Sequence, residues 1–127
     1  MKAKKELRRE IKILFGNQCI LCGYNNTPKA LEFHHINPKE KRMTVSESIS
    51  HEFVTLSIKE AFKCVLVCKN CHTELEDKLI FLNEEIIIQQ REIVRDRWAS
   101  FKEVMEPWIK NKTLDFCPCF SSKTNIK

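Results

Sequence analysis

"KCVLVCKNCHTELE", residues 63–76, decides the fold. Its first half, Cys64 to Cys68, is an unbroken run of apolar and β-branched residues, which reads as a buried strand. The run ends in a C-x-x-C pair, Cys68 and Cys71, separated by polar Lys69 and Asn70. Beyond it, "HTELEDKLIFL", residues 72–82, reads as a helix. A strand feeding a two-thiolate knuckle needs a second pair of thiolates to close a metal site. "NQCILCGY", residues 17–24, supplies that pair in Cys19 and Cys22.

Two such knuckles make a tetrahedral shell of four cysteines with no open position, the pattern of a structural zinc site. Asn17, Gln18, Lys69 and Asn70 make both loops polar, which argues against four unligated thiols in a core. The chain holds 7 cysteines, an odd number, and opens "MKAKKELRRE", too charged for a secretory signal. Reduced thiols in the cytoplasm are therefore expected, and metal binding rather than a disulfide framework. A redox role for the C-x-x-C pairs is the weaker reading, because zinc would occupy the thiolates. Structural zinc in small domains contributes about 10 kcal/mol or more of apparent binding free energy.

Between the knuckles, "ALEFHHI", residues 30–36, alternates as a half-buried strand does. Leu31, Phe33 and His35 fall on one face and Glu32 and His34 on the other; Asn37 and Pro38 stop the run. The strand therefore ends on two histidines aimed differently. The order knuckle, strand, strand, knuckle, helix describes an α+β fold, a ββα unit with zinc at its base. His72 and Glu76 lie four apart on one helix face. If the first strand packs over that face, His34, His72 and Glu76 converge into a second site with open positions, which is characteristic of catalytic metals. His35, aimed elsewhere, is then free to act on water.

The flanks are helical. Residues 3–15 place Leu7, Ile11, Leu14 and Phe15 on one side, with Gly16 ending the helix. From Asn83 to about Glu106, Ile87, Val94, Trp98, Phe101 and Met105 recur at helical spacing, over roughly 36 Å at ~1.5 Å per residue. Packing onto the N-terminal helix, or a homodimer seam, would bury that stripe. Pro107 is expected to end this helix or open a short turn with Trp108 and Ile109. Residues 43–62 carry a mixed pattern, apart from helical "SIKEAF" at 57–62. The organisation is thus a basic amphipathic helix (1–16), a zinc-clamped core (17–82), a helical extension (83–112) and a tail (113–127). Within that tail Cys117 and Cys119 are either unpaired or serve a partner, through a shared metal or a crosslink, and residues 121–127 read as disordered. Cys64 reads as a small buried hydrophobe and His51 has no ligand role.

Of 127 residues, 43% are hydrophobic and 31% charged, ordinary for one folded domain, and no apolar run approaches the ~18 residues of a membrane span. The net charge is +5, and the excess sits in residues 1–42, which hold 10 Lys and Arg against 4 acids. A basic surplus around the histidine pair suits a polyanion, although a solvated helix face produces the same count.

"LEFHHINP" followed by "KCVLVCKNCHTELE" resembles the HNH endonucleases, the ββα-metal nucleases, and in particular the small zinc-clamped forms of phages and bacteria. The likeness spans about residues 17–82. It implies a ββα-metal core, which the N-terminal and long C-terminal helices read above would flank, hydrolysis of DNA phosphodiester bonds, and the cytoplasm of a bacterium or phage-infected host. It also implies His34 as a metal ligand, His35 as the general base that activates water, and His72 as a further ligand. Two positions depart from the pattern. Lys63 stands where the family often has the asparagine that orients the base, and Glu76 stands where many relatives have a third histidine ligand. A carboxylate ligand favours the harder ions magnesium and manganese, with nickel and zinc as further candidates. Lys39, Lys41 and Arg42, just past the histidines, could hold flanking phosphates, and Lys63 is grouped with them. The departures motivate an alternative, an inactive zinc-stabilised HNH module that binds nucleic acid or a protein partner.

Overall fold

The computed structural model describes residues 2–50 and 54–109. His51, Cys117, Cys119 and the whole tail from residue 113 lie outside the described residues. The chain opens on α1 (Lys2–Leu14), whose Leu7, Ile11 and Leu14 are buried on one face together with Phe15 just beyond. Gly16 ends it with a φ of 100° in the left-handed region. There the N–H groups of Gly16 and Asn17 donate to the carbonyls of Ile13 (2.9 Å) and Lys12 (2.8 Å), a Schellman ending. After the first knuckle comes β1 (Leu31–His35), entered and left through short 3-10 turns at Pro28–Ala30 and Pro38–Glu40. The mixed stretch resolves into α2 (Val45–Ser50) and α3 (Val54–Ala61). Thr44 and Glu47 close a capping box on α2: each backbone N–H donates to the other's side-chain oxygen at 2.9 Å. Then follow β2 (Cys64–Cys68), α4 (Lys69–Glu76) and α5 (Glu84–Ile109).

The fold mixes helices with one small sheet. β1 and β2 pair antiparallel, with Leu31 opposite Cys68 and His35 opposite Cys64. All five residues of β2 are buried, which accounts for its continuous apolar sequence. Beyond β1, the backbone of Leu66 finds other partners. Its carbonyl accepts from Ile20 N in the first knuckle (2.9 Å), and its N–H donates to Gln90 Oε1 of α5 (2.9 Å). Gln90, 1% exposed, also donates from Nε2 to the Phe15 carbonyl (2.9 Å), so one buried amide ties α5, the end of α1 and the sheet together.

Two boundaries differ from the sequence expectation. α4 begins at Lys69, three residues before His72, because Cys68 is its N-cap and the second knuckle is its first turn. It ends at Glu76 rather than continuing to Leu82. Lys78 turns left-handed (φ 62°), and the N–H groups of Lys78 and Leu79 close back onto the carbonyls of Leu75 (3.1 Å) and Glu74 (2.9 Å). The apolar run after it therefore leaves Leu79 and Phe81 70% and 72% exposed.

α5 has 26 residues and spans about 39 Å. It lies along α1, with Arg97 Nη1 donating to the Ile13 carbonyl (3.0 Å), and Trp98 packs against Phe62 (ring centroids 5.5 Å) and Phe101 (5.6 Å). Within the chain the stripe thus packs against α1, against β2 and, at Trp98, against Phe62. Pro107 does not stop α5: the helix continues past it to Ile109. A single hydrophobic cluster draws on α1, both strands, α4 and α5, so the segments before and after the stretch bounded by the two cysteine pairs share its core. No helix among the described residues is long and apolar enough to cross a membrane.

Candidate metal centres

Cys19, Cys22, Cys68 and Cys71 bring their four sulfurs within 4.8 Å of one another. In each knuckle the first sulfur accepts a backbone N–H from the second cysteine, Cys22 N to Cys19 Sγ (3.4 Å) and Cys71 N to Cys68 Sγ (3.5 Å). Gly23, at φ 82°, lets the first loop turn tightly enough for this, and its N–H donates to the Cys19 carbonyl (2.9 Å). Across the knuckles Cys22 Sγ and Cys68 Sγ are 3.7 Å apart. Tetrahedral Zn–S bonds of ~2.3 Å impose a sulfur separation of about 3.8 Å, so the cluster can hold a structural metal and its size suits zinc. The four thiols differ in how readily they ionise. Burial works against ionisation of Cys19, yet the N–H groups of Cys22, Cys68 and Leu21 outweigh it and bring the thiol down to about 7. Cys71 is pushed the other way, by burial and then by its bonds to Cys68 and Cys19. Four thiolates this close cannot coexist without a counter-charge.

α4 starts inside this cluster and carries the next residues onto β1. His34, His72 and Glu76 place one ligand atom each within 4.8 Å of one another. The His34 and His72 rings meet edge to face at 5.2 Å, and His72 Nε2 lies 3.3 Å from Glu76 Oε2. The other nitrogen, His72 Nδ1, donates to Glu32 Oε1 at 2.6 Å. That bond fixes the ring with Nε2 facing the cluster, the arrangement in which an outer carboxylate orients a metal-ligating imidazole. His34 titrates below its ordinary range, chiefly through burial and then through the neighbouring His72, which keeps it neutral as ligation requires.

His35 sits on the opposite face of β1, 9% exposed. Its Nε2 is 2.8 Å from Glu60 Oε2. Glu60 is fully buried in α3, and its carboxylate also accepts from Arg42 N (3.0 Å) and Lys63 Nζ (3.1 Å). Burial alone would raise its pKa; the Arg42 N–H, His35 and Lys63 together bring it down to about 2. A cavity of about 150 Å³ touches both faces of the strand end: His34, His35, His72, Glu76, Lys41 and Thr44 are among the residues that line it. Facing directions alone would have kept the two histidines apart, but at the end of a strand one cavity can wrap around both. A neighbouring cavity of about 230 Å³ shares His72, Phe33 and Thr44 with it and is bordered by Arg8 and Lys12 of α1.

Of the basic residues singled out in the sequence, Lys41 lines the cavity, while Lys39 and Arg42 lie exposed on the adjoining turn. Lys63 Nζ donates to the Glu40 carbonyl (2.9 Å) as well as to Glu60. Cys64 is buried, with its thiol on the Glu60 carbonyl (3.5 Å). Sequence reasoning missed Glu32 and Glu60. Glu32 had a signal, since it shares the strand face of His34; Glu60, a lone acid in a helix 25 positions from His35, had none.

No family model, curated protein or solved structure matches the chain.

Proposed function

We propose that this protein is a metal-dependent endonuclease of the HNH type, hydrolysing phosphodiester bonds in DNA. The observation that carries the reading is the convergence of His34, His72 and Glu76 within 4.8 Å beside His35 in one cavity. Three ligands with vacant positions, plus an imidazole that is not one of them, are the parts a metal-assisted hydrolysis needs. The four-cysteine cluster takes a structural zinc, and His34, His72 and Glu76 take magnesium or manganese, with nickel or zinc as alternatives. That divalent ion, when bound, supplies charge stabilisation to the phosphorane-like transition state and to the departing oxygen.

The chain's own residues do the rest. His35 takes a proton from the attacking water as the oxygen–phosphorus bond forms and the bond to the 3′ oxygen breaks, a step worth ~10²–10⁴ in rate. Lys41, at the cavity, is placed to hold a phosphate, and Lys39 and Arg42 extend that positive edge along the turn. Supercoiled plasmid incubated with magnesium, manganese or nickel tests the reading. Wild type is expected to nick or linearise it at least 10²-fold faster than His35→Ala, with His34→Ala and His72→Ala equally impaired. Equal rates for wild type and His35→Ala under every metal would end the nuclease reading.

A further inference from the structure

We propose that Glu60 is the positioning residue for His35: it accepts the Nε2–H proton, fixes the imidazole in that tautomer, and leaves Nδ1 as the atom that takes the proton from water. The inference rests on the nuclease reading and assigns to Glu60 the orienting role for which Lys63 offers no suitable acceptor. An ammonium can only donate, and the nitrogen of His35 that meets α3 needs something to accept from it. Glu60 Oε2 stands 2.8 Å from that nitrogen. Two further groups hold the carboxylate from other directions: the Arg42 N–H on the same oxygen (3.0 Å) and Lys63 Nζ on Oε1 (3.1 Å). Lys63 is itself anchored to the Glu40 carbonyl (2.9 Å).

The result is a rigid line from β2's approach, through α3, to the end of β1. The backbone reinforces it, since Ile36 N donates to the Lys63 carbonyl (2.9 Å) directly after the histidine pair. With its partners on both oxygens, Glu60 stays ionised and can act only as an acceptor, so the proton between it and His35 belongs to the imidazole. An orienting carboxylate behind a base imidazole sets the tautomer and stabilises the imidazolium as it forms. His35 is 9% exposed and still lines the cavity, and with Nε2 engaged by Glu60 the nitrogen left for a water is Nδ1.

Two measurements on the zinc-loaded full chain decide this. Nitrogen-15 spectra of the imidazoles, assigned with His35→Ala, are expected to show neutral His35 protonated on Nε2. In single-turnover plasmid cleavage, Glu60→Gln is expected to lose about 10²-fold in rate with unchanged DNA binding, since it keeps the shape and loses the charge. The double variant Glu60→Gln/His35→Ala is expected to be no slower than His35→Ala alone, because Glu60 acts through His35; a merely structural role would slow it further. Glu60→Asp, which restores the charge on a shorter stem, is expected to recover part of the loss. Protonation of His35 on Nδ1, or full activity in Glu60→Gln, overturns the positioning role while leaving the nuclease reading intact. A wild type that does not cleave overturns the nuclease reading instead, and the imidazole spectra then still decide whether Glu60 sets the tautomer.

Discussion

Replacing Glu32 tests whether the open cluster is a metal site, because Glu32 touches the cluster only through His72. Its Oε1 accepts from His72 Nδ1 at 2.6 Å, a short charge-assisted bond that raises the basicity of the opposite nitrogen. Loss of such an outer partner costs about 10–100-fold in metal affinity. The side chains of His72 and Glu32 are 23% and 38% exposed, so water screens part of the charge. Glu32→Gln keeps an acceptor and loses the charge, which places it at the low end: about tenfold, or ~1.4 kcal/mol. Glu32→Ala also frees the ring to rotate and reaches about 100-fold, ~2.7 kcal/mol. Manganese titration of the zinc-loaded protein, followed by paramagnetic resonance or calorimetry, reads both, with zinc content and far-UV dichroism as controls for folding. The graded order wild type, Gln, Ala is the expected result. Manganese binding that ignores all Glu32 variants, or that survives His34→Ala, would show that the three side chains do not share an ion.

Gln90→Leu keeps the volume of a buried residue but strands the Leu66 N–H and the Phe15 carbonyl; at ~1–3 kcal/mol for each orphaned group, a loss of about 2–6 kcal/mol is expected in urea unfolding of zinc-saturated protein. An unchanged midpoint would mean that those groups find water. Chelation of an ion held by the four cysteines, or Cys68→Ser, is expected to collapse the native dichroism, since ~10–16 kcal/mol of apparent zinc binding is comparable to the ~5–15 kcal/mol that holds a typical domain; a chelated chain that keeps native dichroism would refute it. Glu60, held at about 2 against an ordinary 4.5, stabilises the fold fully above about pH 5 and loses that contribution as pH falls through 4.5 toward 2. The stability gap between wild type and Glu60→Gln should accordingly narrow as pH falls from about 4.5 toward 2, and a gap that does not narrow over that range contradicts the assignment.

What could be read in the sequence was whatever chain neighbours decide. The C-x-x-C knuckles, the period-2 alternation of Leu31 to His35 and the apolar run of β2 are local patterns, and each element stands where its pattern put it. The end of α4 was misread because Leu79, Ile80, Phe81 and Leu82 are apolar without being buried as a helix face; Lys78 turns the chain first. The start of α2 is legible in Thr44 and Glu47, whose spacing is that of a capping box, although the stretch around them carries a mixed pattern. The partners of the site were not legible at all. Glu60 meets His35 and Gln90 meets Leu66 only because distant segments pack together, and neither residue stands out from the helix that carries it.

The two candidate centres are coupled through α4. Its first turn supplies Cys71 to the cysteine cluster, and the adjoining residue, His72, begins the open cluster, with Glu76 one turn further on. A helix of 8 residues is too short to hold its shape by its own hydrogen bonds. Its direction is therefore set by its capped start at Cys68, held in the cysteine cluster, and by Leu75, buried against the core. An ion among the sulfurs would fix where His72 and Glu76 point, and a ligand on those two would in turn resist the opening of the knuckle, since linkage between sites is reciprocal. The 45 residues between the knuckles thus form the part of the chain that a cysteine-bound ion would close into a loop, with His34 and His35 in its first third and Glu60 near its end. On this view the cysteines act on the cavity without lining it: they determine whether α4 lies across β1 closely enough for His34 and His72 to meet.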